Sequence, residues 1–271
     1  MTGGHPLDVA TRLVPVGDDR FSGHTSEDYW NFAGPFGGIT AAILLRAVVD
    51  HPRRLGSPVA LTVNFCAAIA RGAFELVVSE QRSGKSTQHW SVTLLQGGLI
   101  AATASIVCGV RRPTWAHAHA RPPVVPPADA VPPVVFSLPS NWLQRYRFRF
   151  VEGTPAISAT PHDVPADPRS ILWLSDLPDR PLDVVSLAAM ADAFLLRLLQ
   201  VRGMFIPSST VSLTTYFNGT DDEVRAQGTA PLCCVVDSRR FNGGFHDQTV
   251  ELWGADGTLL ASSVQVVWYK E

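Results

Sequence analysis

Leu182 to Val201 reads LDVVSLAAMADAFLLRLLQV. Leu187, Met190, Ala191, Phe194, Leu195 and Leu198 recur at helical spacing, so the stretch is expected to form one long amphipathic helix whose apolar stripe packs on a sheet. Asp192 stands apart from this pattern. Ala188 and Ala189 lie one turn before it and Leu195 and Leu196 one turn after, so its own helix offers no basic partner. Two readings are open: an acid at the edge of the stripe that reaches water or caps a neighbour, or a carboxylate held in a mostly apolar cleft.

Strand patterns surround this helix. Val211 to Phe217, Gln227 to Val236, Phe245 to Trp253 and Leu259 to Trp268 follow it, with Asp256-Gly257 turning the last pair into a hairpin. Arg145 to Val151 and Ser170 to Leu174 precede it. Asn218-Gly219-Thr220 matches a glycosylation sequon by pattern alone. The first half of the chain has the same order. Arg12 to Val16 and Arg20 to Thr25 flank the turn residues Gly17-Asp18-Asp19, so two strands are expected before the first helix. That helix, Ile39 to Asp50, is entered through the aromatic and glycine-rich stretch Tyr29 to Gly38. Glycines at such an entrance either admit a ligand to the unpaired N–H groups or let the helix pack tightly on its sheet. Ala60 to Phe65, Phe74 to Gln81, Gln88 to Leu95 and Leu99 to Val110 then form an antiparallel meander. Gly84-Lys85-Ser86 looks like part of a phosphate loop, but Ser79 replaces the leading glycine and no helix follows.

The agreement extends to residues. Ile43-Leu44-Leu45-Arg46 matches Phe194-Leu195-Leu196-Arg197, Leu61 to Phe65 matches Leu213 to Phe217, and Leu99-Ile100-Ala101 matches Leu259-Leu260-Ala261. One unit, a long helix cradled by a curved antiparallel sheet, is therefore read as duplicated, the alternative being chance similarity of apolar segments. Between Arg111 and Ser140 stand eight prolines with few regular apolar periods. The expected division is residues 1–112, a proline-rich linker at 113–140, and 141–271. His117 and His119 lie in that linker without further ligand types, and no metal site is expected. In the frame of the matches, Ala41 falls opposite Asp192, Pro58 opposite Thr210 and Ser105 opposite Gln265, so only the second copy has a polar trio. Gln265 stands among Val264, Val266 and Val267, and a buried amide there needs partners that a carboxylate and a hydroxyl can supply.

Composition narrows the function classes. A formal net charge of -2, without a Lys/Arg run, argues against nucleic acid or an anionic membrane as partner. Cys66, Cys108, Cys233 and Cys234 lack metal-ligand spacing and are read as small core residues of a reducing compartment. The N-terminus has no signal pattern, and Arg46 and Arg197 interrupt the longest apolar runs, so a cytoplasmic protein without membrane spans is expected.

These features together resemble the acyl-CoA thioesterase II group of double hot-dog thioesterases. Phe36-Gly37-Gly38 looks like its FGG element, Leu187-Ala188 to Asp192 like its LAxxxD helix, Thr210 to Phe217 like its TxxxxxWF strand, and Ser263-Val264-Gln265 like its terminal TVQ. The chain departs from the family at Ile39, at Ser212-Leu213 and at Tyr216. The resemblance implies an α+β double hot-dog fold, catalytic roles for Asp192, Thr210 and Gln265 in hydrolysing an acyl-CoA, no cofactor, a place in lipid metabolism and a homo-oligomer. Backbone donors at Gly37 and Gly38 are expected at the oxyanion, with Trp30, Phe32 and Phe36 bordering the acyl or pantetheine channel. Rival readings are a non-catalytic acyl-CoA binding or scaffold protein, and a hot-dog hydratase or dehydratase, which would need a histidine beside its acid.

Overall fold

The computed structural model describes residues 4–270, so the outermost residues of the expected division, 1–3 and 271, lie outside it. A five-residue helix α1 (Pro6–Ala10) opens the chain, with Pro6 in its first turn and the His5 ring accepting from the Leu7 N–H. The expectation that two strands come first is corrected accordingly. Then follow β1 (Val14–Gly17), β2 (Arg20–His24), α2 (Gly37–Val49), β3 (Ser57–Phe65), β4 (Ala73–Ser83), β5 (Thr87–Gln96) and β6 (Leu99–Gly109). The second half comprises β7 (Tyr146–Glu152), β8 (Ser170–Asp176), α3 (Val184–Met190), α4 (Arg197–Arg202), β9 (Ser208–Phe217) and α5 (Asp221–Ala226). It ends with β10 (Leu232–Asp237), β11 (Phe241–Asn242), β12 (Phe245–Trp253) and β13 (Leu259–Tyr269).

All strands join one antiparallel sheet in the order β1-β2-β4-β5-β6-β3-β9-β13-β12-β10-β8-β7, with β11 on β12. Outward from the centre, the first half runs β3-β6-β5-β4-β2-β1 and the second β9-β13-β12-β10-β8-β7, the same topology twice. The halves meet where β3 pairs antiparallel with β9, and at that seam Thr62 lies opposite Thr214 with their hydroxyls 3.0 Å apart. The two residues correspond in the repeat.

The register corrects one part of the repeat frame. Phe65 pairs with Ala102 as Phe217 pairs with Ala261, and Pro58 with Cys108 as Thr210 with Val267. Pro58 therefore does stand where Thr210 stands. Along the last strands, however, Ala104 corresponds to Ser263 and Ile106, not Ser105, to Gln265. Both terminal hairpins have their register shift at the same place, Leu95 facing Ile100 as Trp253 faces Leu259, so Ile100 and not Leu99 matches Leu259, and one residue of error moves a side chain to the other face of a strand.

Inside the curved sheet lies the core. α2 is apolar almost all round, with Ile39, Ala42, Leu44, Leu45 and Val48 buried, as suits a helix enclosed on every side. It packs on α3 so closely that a Cβ placed on Gly38 would stand 2.4 Å from the Ala189 carbonyl oxygen. Residues 110–140 contain no strand and a single three-residue helical turn at Ala128–Ala130; the Trp173 indole donates to Pro126 O at 3.0 Å and steadies this segment on β8.

Two further expectations give way. The helix over Leu182–Val201 is broken: α3 ends at Met190, α4 begins at Arg197, and Asp192 lies between them. Local periodicity permits a continuous helix, but side chains from the sheet offer the backbone other partners, and tertiary contacts win. The region read only as a sequon is followed by α5, whose capping box joins Thr220 and Glu223; the expected strand from Gln227 consequently starts at Leu232. Among the cysteines, Cys108, Cys233 and Cys234 are buried, whereas Cys66 is exposed because it follows the last residue of β3, where the chain leaves the sheet.

Candidate active site

The helix break presents Asp192 to the N-terminus of α2. The Asp192 N–H is bonded to Ala189 O at 3.2 Å and its carbonyl accepts from the Phe194 N–H at 2.7 Å, a tight turn in place of a helical step. The carboxyl group is buried at 6% residue exposure, and burial, with no cation to offset it, raises its pKa from 3.8 to about 7. The Gln265 amide and the Gly38 backbone N–H both favour the charged form and hold the rise back. Asp192 Oδ2 approaches the first turn of α2 so nearly that a Cβ on Gly37 would stand 2.6 Å from it. A helix N-terminus with two glycines thus provides donors, positive potential and room for a carboxylate.

The remaining two members of the trio reach the same point from the sheet. Gln265 occupies an inward position of β13 and is 2% exposed. Its Oε1 accepts a hydrogen bond from the Thr210 hydroxyl at 2.7 Å, which leaves Nε2 for the Asp192 side. That Nε2 contact falls short of good hydrogen-bond geometry, so the buried NH2 group has donor capacity to spare. Thr210, half-buried near the start of β9, stands beside the bulge that shifts the β9–β13 register. A titratable carboxylate, an amide with a free donor and a fixed hydroxyl therefore converge.

The carboxylate and the hydroxyl face a cavity of about 560 Å³ lined by both halves of the chain, while Gln265 is outside the lining and reaches it through its hydrogen bond from Thr210. The first half contributes Phe32, Phe36, Gly37, Thr40 and Phe65; the second contributes Asp192, Phe194, Leu195, Leu199, Phe205 and Thr210. Asp192 is the one charged residue, and no histidine is present, among the described lining residues. Phe36 stacks on Trp142 at 4.5 Å between ring centroids, which fixes the wall next to α2. Phe32 and Phe205, both exposed, meet across the two halves at 4.9 Å, and Cys66 stands on the rim. Trp30 is not part of this wall; its ring is covered by the Arg71 guanidinium at 4.0 Å. Gly38 also stays behind the lining, its N–H directed at Asp192. Sequence reasoning passed over Phe65, Phe194 and Phe205, which look like ordinary core residues in a string of letters. It also passed over Gln248, whose inward place between His246 and Val250 on β12 was available from strand alternation.

The profile of the acyl-CoA thioesterase N-terminal domain matches residues 26–109, and that of the acyl-CoA thioesterase C-terminal domain matches residues 119–269. No functionally curated protein matches the chain by sequence. Among solved structures, a conserved protein of unknown function with a hot dog fold from Alicyclobacillus acidocaldarius is 39% identical, with 99% of each chain covered and a TM-score of 0.93. A putative thioesterase II from Thermobifida fusca YX is 21% identical over 100% of both chains, with a TM-score of 0.83. Acyl-CoA thioesterase II TesB2 from Mycobacterium marinum is 19% identical over 97% of this chain and 98% of its own, with a TM-score of 0.74. At their level of identity the last two speak for the fold alone.

Proposed function

The chain belongs to the acyl-CoA thioesterase family and has a double hot-dog fold, and from that premise we propose that it hydrolyses an acyl-CoA to the free acid and CoA through a water activated by Asp192. The observation that carries this reading is the buried carboxylate, poised near neutrality, facing Thr210 and Gln265 at the edge of an apolar cavity. Gln265 and Thr210 orient the water, Asp192 takes its proton, and the oxygen attacks the thioester carbonyl. The tetrahedral intermediate then expels the thiolate, which recovers that proton from Asp192. No covalent acyl-enzyme is needed. In this reading Gly38 serves the carboxylate, Gly37 remains as the oxyanion donor at the helix N-terminus, and Phe36 borders the acyl channel.

Units at 1–112 and 141–271 flank a linker at 113–140, the second unit carrying the trio, and the enzyme works in cytoplasmic lipid metabolism as a homo-oligomer. No described helix is long and apolar enough to cross a membrane. Release of free thiol from acyl-CoAs of differing length and branching tests the reaction; saturable binding without thiol release would instead favour the scaffold reading.

The pH dependence follows from the carboxylate. The base is active when ionised, so kcat/KM should climb as pH rises through about 7 and level off above it. A profile already flat from pH 5 upward would remove Asp192 from the role of base.

A further inference from the structure

Resting on the reading of Asp192 as the base, we infer that Ser263 and Gln248 are positioning residues that hold the two ends of the non-helical segment between α3 and α4 and so aim the carboxylate at the N-terminus of α2. The Ser263 hydroxyl donates to Ala191 O at 2.8 Å, immediately before Asp192. The Gln248 Oε1 accepts from the Arg197 N–H at 3.0 Å, at the point where helix resumes. Between these anchors, the Arg197 guanidinium closes the segment on itself by donating to Leu195 O, at 3.1 Å from Nε and 2.5 Å from Nη2. A helix interrupted here must satisfy the backbone groups it releases, and these three side chains do so.

Ser263, Gln265 and Gln248 form one patch. Gln248 lies directly opposite Gln265 in the β12–β13 ladder, Ser263 is the next inward residue on β13, and all three are buried. The sheet thus grips the backbone before Asp192, its carboxylate, and the backbone where α4 begins from three adjacent positions.

The duplication supplies an internal control. Where the second unit has Ser263, Gln265 and Gln248, the first has Ala104, Ile106 and Trp90, with Trp90 opposite Ile106. There α2 runs unbroken through 13 residues. Arg46, matched in sequence to Arg197, lies at the surface side of its helix and pairs with Asp8 and Asp50. Arg197 is 1% exposed, and its guanidinium donates to carbonyl, hydroxyl and amide oxygens. Apolar inner residues accompany a continuous helix; polar ones accompany the break. Burying a cation and leaving Gln248 Nε2 unpartnered are both costly, and the arrangement they maintain is the placement of one carboxylate.

The test is a double-mutant cycle on the full chain. Ser263→Ala and Gln248→Met are each made in wild type and in Asp192→Asn, and kcat, KM and Tm are measured with an acyl-CoA. In wild type each should lower kcat about ten-fold, the scale of a carboxylate displaced by less than 1 Å, with KM within about two-fold and Tm lower by a few degrees for the backbone group left unpaired. In Asp192→Asn neither should have a further effect, because residues acting through one group are not additive. Ser263→Thr, which keeps the hydroxyl, should retain turnover. Wild-type kcat in both variants, or the same loss in the Asp192→Asn background, would overturn the inference. Full turnover in Asp192→Asn alone would overturn the base reading itself, and is read on a different variant.

Discussion

Asp192→Asn is expected to lower turnover by about 10² to 10⁴-fold while acyl-CoA binding survives, because the amide keeps the shape and polarity of the group and cannot accept the proton. The same variant should become more stable at alkaline pH. The folded pKa of about 7 lies above the ordinary 3.8, so the folded state favours the protonated acid. The contribution of this group is therefore fully present below about pH 4 and is lost as pH rises through 7. Above that pH the wild type holds an ionised carboxylate in an apolar setting, and the asparagine does not. A Tm higher than wild type by a few degrees at pH 8, with the gap closing toward pH 4, is the expected signature. A structural acid would behave in the opposite way, with Tm lowered and turnover kept, and that result would end the mechanism.

Gly38→Ala should produce the largest loss of stability. The new Cβ would meet Ala189 O and Phe36 Cζ, each at 2.4 Å, and the first of these is backbone. Relief requires α2 and α3 to move apart, an overpacking cost of about 1–3 kcal/mol that the helix propensity of alanine offsets only in part. A fall in Tm of about 3–10 °C is expected for a chain of this size. Turnover should fall as well, since the Gly38 N–H leaves the carboxylate. Gly37→Ala is the discriminating partner. Its Cβ would meet Asp192 Oδ2 at 2.6 Å, the end of a side chain that can swing away, so turnover should fall about 10-fold or more with Tm close to wild type. Wild-type Tm in Gly38→Ala would show that the two helices do not depend on the glycine for their approach.

Order and duplication could be read from the sequence because strand alternation and turn residues are local signals. The β12–β13 hairpin appeared at its true place around Asp256-Gly257. The polar trio was visible for a related reason: Asp192 and Gln265 are polar residues in apolar surroundings, and such residues seek one another. What escaped notice depends on partners distant in the chain. The backbone on either side of the break after Met190 is hydrogen-bonded to Ser263 and Gln248, which lie more than fifty residues further along. Pairing Gln265 with Ser105 instead of Ile106 came from matching Leu99 to Leu259 by apolar type, where strand pairing matches Ile100 to Leu259. α5 was legible and unread, since Thr220 and Glu223 have the spacing of a capping box. Trp30 illustrates the limit for aromatics: being near the cavity in sequence did not place it in the wall.

The seam at Thr62 and Thr214 bears on how such a chain could arise. Equivalent residues facing each other across an antiparallel contact are the mark of an isologous interface, in which one patch pairs with a copy of itself around a two-fold axis. A gene for one unit would thus have encoded a symmetric dimer with two identical clefts, and every substitution would have appeared in both. Fusion into one chain removes that constraint. One half can lose its acid, acquire a straight apolar helix and become a wall, while the other accumulates buried polar groups that a stable dimer would have had to tolerate twice.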